Sequence, residues 1–318
     1  MSSYETGSSE RRSATAEMEC PPADIQSEAS RMLQISNWKK ILVITEPELV
    51  VIKPGQIPVS RTIFELWEHR ELIKNLVWRD LTTRYRQTIL GAGWAVIQPL
   101  GFMLVITLFL GQSSHSLLGK VPYPVLIYSS LILWQYFNAS VTRASDSVLT
   151  MGSLMKKVYF PRLAAPIGSV MPAMVDFAIT FMLLIAMVLW FKLPITFCVL
   201  AAPLFVFLAA TLALGVGLWV SALHVRYRDM FQLVPFCLQM LFFASPIVYS
   251  SDSIPTALRP VYQLNPLVSV IEGFRWSVLG TAAPQPGLVF YSISVSVVLL
   301  VSGFAFFRRT ERTFVDYM

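Results

Sequence analysis

Residues 62–100 read Thr62-Ile-Phe-Glu-Leu-Trp-Glu-His-Arg-Glu-Leu-Ile-Lys-Asn-Leu-Val-Trp-Arg-Asp-Leu-Thr-Thr-Arg-Tyr-Arg-Gln-Thr-Ile-Leu-Gly-Ala-Gly-Trp-Ala-Val-Ile-Gln-Pro-Leu100. Thr62 with Glu65 three residues on forms a capping box, which satisfies two orphan donors and lets a helix begin. Ile63, Leu66, Trp67, Ile73, Leu76 and Val77 then recur at helical spacing, with Glu68, Arg70, Glu71 and Lys74 on the other side. Such a helix can lie in a membrane interface, apolar face down; a surface helix of a soluble domain would show the same pattern. Residues 79–111 separate the two readings. Arg79, Arg84 and Arg86 form a basic collar, and from Ile89 to Gly111 no residue is charged. An arginine collar at the edge of a span long enough for about 30 Å of hydrocarbon marks a cytoplasmic membrane boundary.

The whole chain supports that reading. Apolar residues make up 55% of its 318 positions and charged ones only 14%, against roughly 45–50% and a quarter in soluble domains. Mean hydropathy is +0.59, and uncharged runs of about 20 residues recur, which a soluble core does not need. The net charge of +6 reflects basic residues clustered at span ends rather than affinity for nucleic acid. Cys20 lies in a polar tail, while Cys198 and Cys237 fall in apolar runs as small hydrophobes, so no disulfide framework is expected. The first 40 residues hold no apolar core of the signal-peptide kind.

In chain order, residues 1–36 lack periodicity and are expected to be disordered, and two short β-type runs come next at 41–44 and 49–52. Residues 1–60 thus form a tail, and 61–90 the interfacial helix with its collar. The membrane part, 91–307, divides into spans at about 91–111, 123–144, 167–191, 196–222, 230–249 and 287–307. A basic inner loop covers 145–166, and a segment at 250–286, broken by Pro255, Pro260, Pro266 and Pro284, cannot be one span. Residues 308–318 make a basic tail. With six spans and both termini cytoplasmic, Lys156, Lys157, Arg162, Arg226, Arg228, Arg308 and Arg309 all lie inside. An odd number of spans would strand one terminal cluster. The expected fold is an all-α polytopic membrane protein.

No energy-converting or catalytic motif accompanies these spans. Gly119-Lys120 lacks the earlier glycine and the next-position Ser or Thr of a phosphate loop. Gly215-Val-Gly217 sits inside a span, where it permits close helix packing. His69, His115 and His224 are scattered, so neither a metal site nor a catalytic site is expected. Uphill transport would therefore draw on a gradient or on a partner ATPase. Asp176, alone within a span, reads as hydrogen-bonded to a neighbouring helix; a proton relay would need a second titratable partner. Glu272 and Arg275 stand at i and i+3 on one face of a short helix, a costly pair at membrane depth unless mutually satisfied or facing water. The alternative is an exposed loop with an incidental ion pair. The loop at 145–166 is either a solvated connector or a docking segment. Trp94, Phe102, Trp134, Tyr136 and Phe137 suit a carbohydrate channel, membrane belts or ordinary packing equally well.

Several of these segments together resemble one family. Glu65-Leu-Trp67, Arg70-Glu-Leu72, Arg79-Asp80, Arg84-Tyr-Arg86, Leu90-Gly-Ala-Gly-Trp94, Gln98-Pro99, Lys156-Lys-Val-Tyr-Phe-Pro-Arg162, Asn265-Pro266-Leu267 and Glu311-Arg-Thr-Phe314-Val-Asp316 are similar to polysaccharide-exporting type-2 ABC transporter permeases. Those membrane subunits move O-antigen, capsule or teichoic acid chains, and the likeness covers about residues 48–318. It implies a homodimer that recruits two ATPase subunits, with ATP and Mg2+ bound by the partner and no cofactor by this chain. It implies an inner (plasma) membrane location and a lipid-linked polysaccharide cargo. Residues 145–166 become a coupling helix carrying Lys156, Lys157, Phe160 and Arg162, and 250–286 becomes a pair of outer re-entrant helices carrying Glu272 and Arg275. Arg79, Arg84, Tyr85 and Arg86 become candidates for the anionic lipid head group. A type-2 exporter of a drug or small lipid shares the six-span plan but usually lacks the long interfacial helix with its collar. A membrane-embedded transferase would need a catalytic histidine or carboxylate pair.

Overall fold

The chain divides into two units, Met1–Gln56 and Ile57–Met318. The computed structural model describes residues 67–86, 91, 93–114, 121–152, 161–194, 196–249, 251, 254–311 and 314, all in the second unit, with backbone alone at 111–114. The capping box at Thr62, the β-type runs and Lys156, Lys157 and Phe160 lie outside the described residues.

Nine helices and one 3-10 turn make up the described chain, and no strand occurs among the described residues. They are α1 (Arg70–Arg86), α2 (Gly93–Ser114), α3 (Tyr123–Thr150), α4 (Ala164–Trp190), the turn Phe197–Ala201, α5 (Ala202–Arg226), α6 (Met230–Phe243), α7 (Arg259–Gln263), α8 (Pro266–Leu279) and α9 (Pro286–Glu311). The longest, α3, is the hub. Val125, Ile127, Tyr128, Leu131 and Phe137 are buried along it, and α2, α4, α5 and α8 pack around it. α9 leans on α5, and α1 packs against α4.

Four segments are long and apolar enough to cross a membrane: Gly93–Leu110, Ala164–Trp190, Phe197–Arg226 and Pro286–Glu311. They fall on the first, third, fourth and last expected spans. The outer surface is that of a membrane protein. Leu108, Phe109, Met182, Trp190, Phe290 and Val298 are all exposed, an apolar exterior that water would not tolerate. The expected second span is α3, 28 residues or about 42 Å at 1.5 Å per residue, but its serines, Asn138, Arg143 and Asp146 make it less apolar than those four. The expected fifth span is helical only over the 14 residues Met230–Phe243, about 21 Å, with Pro235 inside it.

Small residues set how closely the helices approach. A Cβ built on Gly217 would sit 2.5 Å from the Cβ of Ala144 on α3, and one on Gly303 would sit 2.6 Å from the Gly215 carbonyl oxygen. The α5–α9 crossing is therefore backbone against backbone, as in membrane helix pairs that lack a side chain at the contact. One step along, Trp219 stacks on Phe306 at 4.2 Å between ring centroids and donates Nε1–H to Ser302 Oγ at 3.1 Å.

Helix α1 uses its apolar row against protein. Leu76 is buried with Met151 and Ala165, Leu72 packs beside them, and Ile73 and Val77 reach over Gly168. Trp67 and Trp78 point outward instead, 68% and 71% exposed. The face expected to meet the membrane is thus occupied by the bundle, and the two indoles remain for an interface.

Far along the chain, α8 is the best-capped element. Asn265 accepts from the Leu267 N–H at 3.0 Å, Pro266 occupies the first turn, and Gly280 closes the helix at φ +65° with its N–H on the Trp276 carbonyl. This helix, with α7 before it, occupies the stretch that the prolines break.

Candidate functional site

Asp176 lies near the middle of α4, its side chain only 16% exposed. It accepts hydrogen bonds from Arg84 and Tyr85, in the last turn of α1, and from Arg143 of α3 at 3.1 Å. Two guanidiniums and a phenol therefore share one carboxylate, and three helices meet on it. A lone carboxylate at this depth is costly, and paired cations are what make it tolerable. Burial, then the hydrogen bond to Asp176 and its charge, pushes the Tyr85 hydroxyl up to about 12. Beside α3 is a cavity of about 100 Å3 lined by Gln98, Gln135, Tyr136 and Asn138 together with Arg84 and Asp176.

The remaining collar residues differ from Arg84 and Tyr85. Arg79 pairs with its neighbour Asp80 at 3.2 Å on the exposed side of α1, and Arg86 is exposed. Sequence alone groups all four as one basic patch. Two of them belong instead to a cluster joining α1 to α3 and α4.

At the C-terminal end of α5, His224 is buried, with Nδ1 3.2 Å from both Asp146 Oδ1 and the Ser145 carbonyl of α3. Its ring lies 4.1 Å from that of Phe231 on α6. Arg162 donates to the Glu311 carbonyl at the end of α9 and lies over Phe314 at 5.8 Å. Of the four coupling candidates, the described one is tied to the C-terminal helix.

Glu272 and Arg275 of α8 line one cavity. Arg275, 5% exposed, donates Nε–H to Ser130 Oγ at 2.5 Å and an Nη2–H to the Ile247 carbonyl at 3.2 Å. Glu272 accepts from Ser251. Both charges also reach groups on other elements: Arg275 the Ser130 hydroxyl of α3 and the Ile247 carbonyl, Glu272 the Ser251 hydroxyl.

Arg143, Asp146 and the buried pairing of His224 are additions from the structure. The signal was present, since Arg143 and Asp146 stand three apart in a helix otherwise free of charge, and a span boundary placed at Ala144 conceals it.

Comparison with known proteins decides the family. The model of the ABC-2 type transporter family matches residues 71–279, from α1 through α8. The chain belongs to the ABC-2 type transporter family. It is similar to the O-antigen export system permease protein RfbA of Myxococcus xanthus, 27% identical over 259 residues, covering 80% of this chain and 98% of that protein. RfbA of Klebsiella pneumoniae is 26% identical over 251 residues, covering 78% and 95%. The polysialic acid transport protein KpsM of Escherichia coli is 25% identical over 259 residues, covering 80% and 98%. The Asp176 cluster and both Glu272 and Arg275 fall within the ABC-2 region, while α9 extends beyond it.

Proposed function

We propose that this chain is the membrane-spanning subunit of an ABC exporter that moves lipid-linked polysaccharide from the cytoplasm across the inner membrane. The observation that carries this is the similarity to O-antigen and polysialic acid permeases over 95–98% of their length. ATP and Mg2+ are bound by a separate ATPase subunit, and two copies of the chain form the translocation path. In this reading α2, α3, α4, α5, α6 and α9 are the six spans, both termini are cytoplasmic, and α7 and α8 are re-entrant at the outer mouth. The placement of Arg162, Arg226, Arg228, Arg308 and Arg309 at helix ends supports that orientation.

The Asp176 cluster gives the proposed head-group role a mechanical setting. Arg84 reaches Asp176 while remaining 43% exposed, so its guanidinium is open to a ligand as well as to the bundle. Arg86 and Arg79 flank it on α1, and Tyr85 completes the group. A phosphate oxygen of the lipid head binding Arg84 and Arg86 competes with Asp176 for the Arg84 donors. Head-group binding then loosens α1 from α3 and α4, the helices that flank the 145–166 coupling loop, where Lys156, Lys157, Phe160 and Arg162 meet the ATPase. Replacing Arg84 and Arg86 together with glutamine, in a strain whose own copy is deleted, tests this. Surface polymer should fall while the permease still co-purifies with its ATPase; unchanged export removes the role from these arginines.

A further inference from the structure

Beneath α7 and α8 is a cavity of about 740 Å3, well within the roughly 300–1,000 Å3 of small-molecule sites. Its walls are of two kinds. Leu126, Leu193, Leu279 and Leu288 are aliphatic, while Glu272, Arg275, Arg259, Tyr262, Gln263 and Gln285 bring acceptors and donors to the same space. Arg275 is almost wholly buried there, and its bonds to Ser130 and Ile247 leave part of its donor fork for the cavity it lines. The buried Tyr262 hydroxyl stands beside Ser251 and Tyr249 on the same wall.

The lining narrows the ligand class. An acyl chain is excluded by the cost of leaving a guanidinium and a carboxylate against hydrocarbon. A simple anion is repelled by Glu272, and a simple cation by Arg259 and Arg275. A neutral polyhydroxyl molecule uses both, donating hydroxyls to Glu272 and accepting from the arginines and amides, with its C–H faces on the leucines. We propose that this cavity is a saccharide subsite that holds a short stretch of the exported chain on the outer side. The inference rests on the polysaccharide-export reading.

The test is photo-crosslinking in living cells, with a benzophenone amino acid at Gln285 on the cavity wall and, as control, at Phe290, which is 70% exposed on α9. The probe is the strain's own surface polysaccharide, detected by periodate staining of the purified permease. A ladder of polymer-linked permease is expected at Gln285 and not at Phe290. Ala283→Trp, on the connecting loop that lines the cavity, should abolish the ladder by filling the space, and Glu272→Gln should weaken it, with membrane levels of permease unchanged. No ladder at Gln285 while export continues, or a ladder that survives Ala283→Trp, overturns the subsite and leaves the exporter reading standing. Surface polymer unaffected by deleting the chain overturns the exporter reading instead.

Discussion

Arg143 of α3 and Arg84 of α1 converge on the single carboxylate of Asp176, one from 33 residues before it in sequence and one from 92. Helix α1 is thereby fastened to the bundle by charge as well as by Leu76 and its neighbours. Asp176→Asn leaves two guanidiniums without their counter-charge, and loss of a largely buried partner costs about 3–5 kcal/mol. Arg143→Gln should approach that loss. Arg84→Gln, at a more exposed site, should cost only about 0–1 kcal/mol. Denaturation of the purified permease in nanodiscs measures the order; an Arg84 effect larger than that of Arg143 would refute it.

Tyr85 adds a pH dependence. Its hydroxyl is raised from 10.0 to about 12 in the folded chain, so between those values the folded state keeps a proton that the unfolded state has lost. Stability from this group is complete below pH 10 and is lost as pH rises toward about 12. Tyr85→Phe should flatten the stability profile in that window and leave its slope unchanged at neutral pH. Paired melts of the two proteins across the range provide the comparison.

Close packing at the α5–α9 crossing predicts a sharp contrast among glycines. Gly303→Val puts carbon against the Gly215 carbonyl and should cost at least the roughly 1–3 kcal/mol of an overpacked core. Gly287→Ala, with no atom within 4 Å of the added carbon, should be neutral. Equal thermal shifts for the two would argue against the crossing.

The coupling residues should separate into two roles. Lys156→Glu with Lys157→Glu is expected to reduce co-purification of the ATPase with little change in the permease's own melting. Arg162→Ala removes a hydrogen bond to the end of α9 and a cation over Phe314, so it should lower the melting temperature of the permease alone. Pull-down and melting of each variant distinguish them.

Four of the spans were legible because uncharged runs of this length have few other uses, and Gly215-Val-Gly217 was legible as a packing motif for the same local reason. The Asp176 cluster was not. Arg84 and Tyr85 look like a surface collar when read with their neighbours, and only the fold brings Arg143 and Asp176 to them. Similarly, the spacing of Glu272 and Arg275 puts them on one face, but their partners Ser130, Ser251 and the Ile247 carbonyl arrive from distant segments that spacing does not reveal. Span length at α6 was overestimated because the apolar composition continues past Phe243, where the backbone turns at Ala244 and Ser245.

The claim on which the rest depends is that this chain carries lipid-linked polysaccharide out of the cytoplasm. The direct measurement is the distribution of that polymer, surface against cytoplasm, in a strain lacking the chain and in the same strain with it restored. Loss from the surface with accumulation of lipid-linked polymer inside, reversed by the restored chain, is the predicted result. Surface polymer at the normal level in its absence would contradict the account.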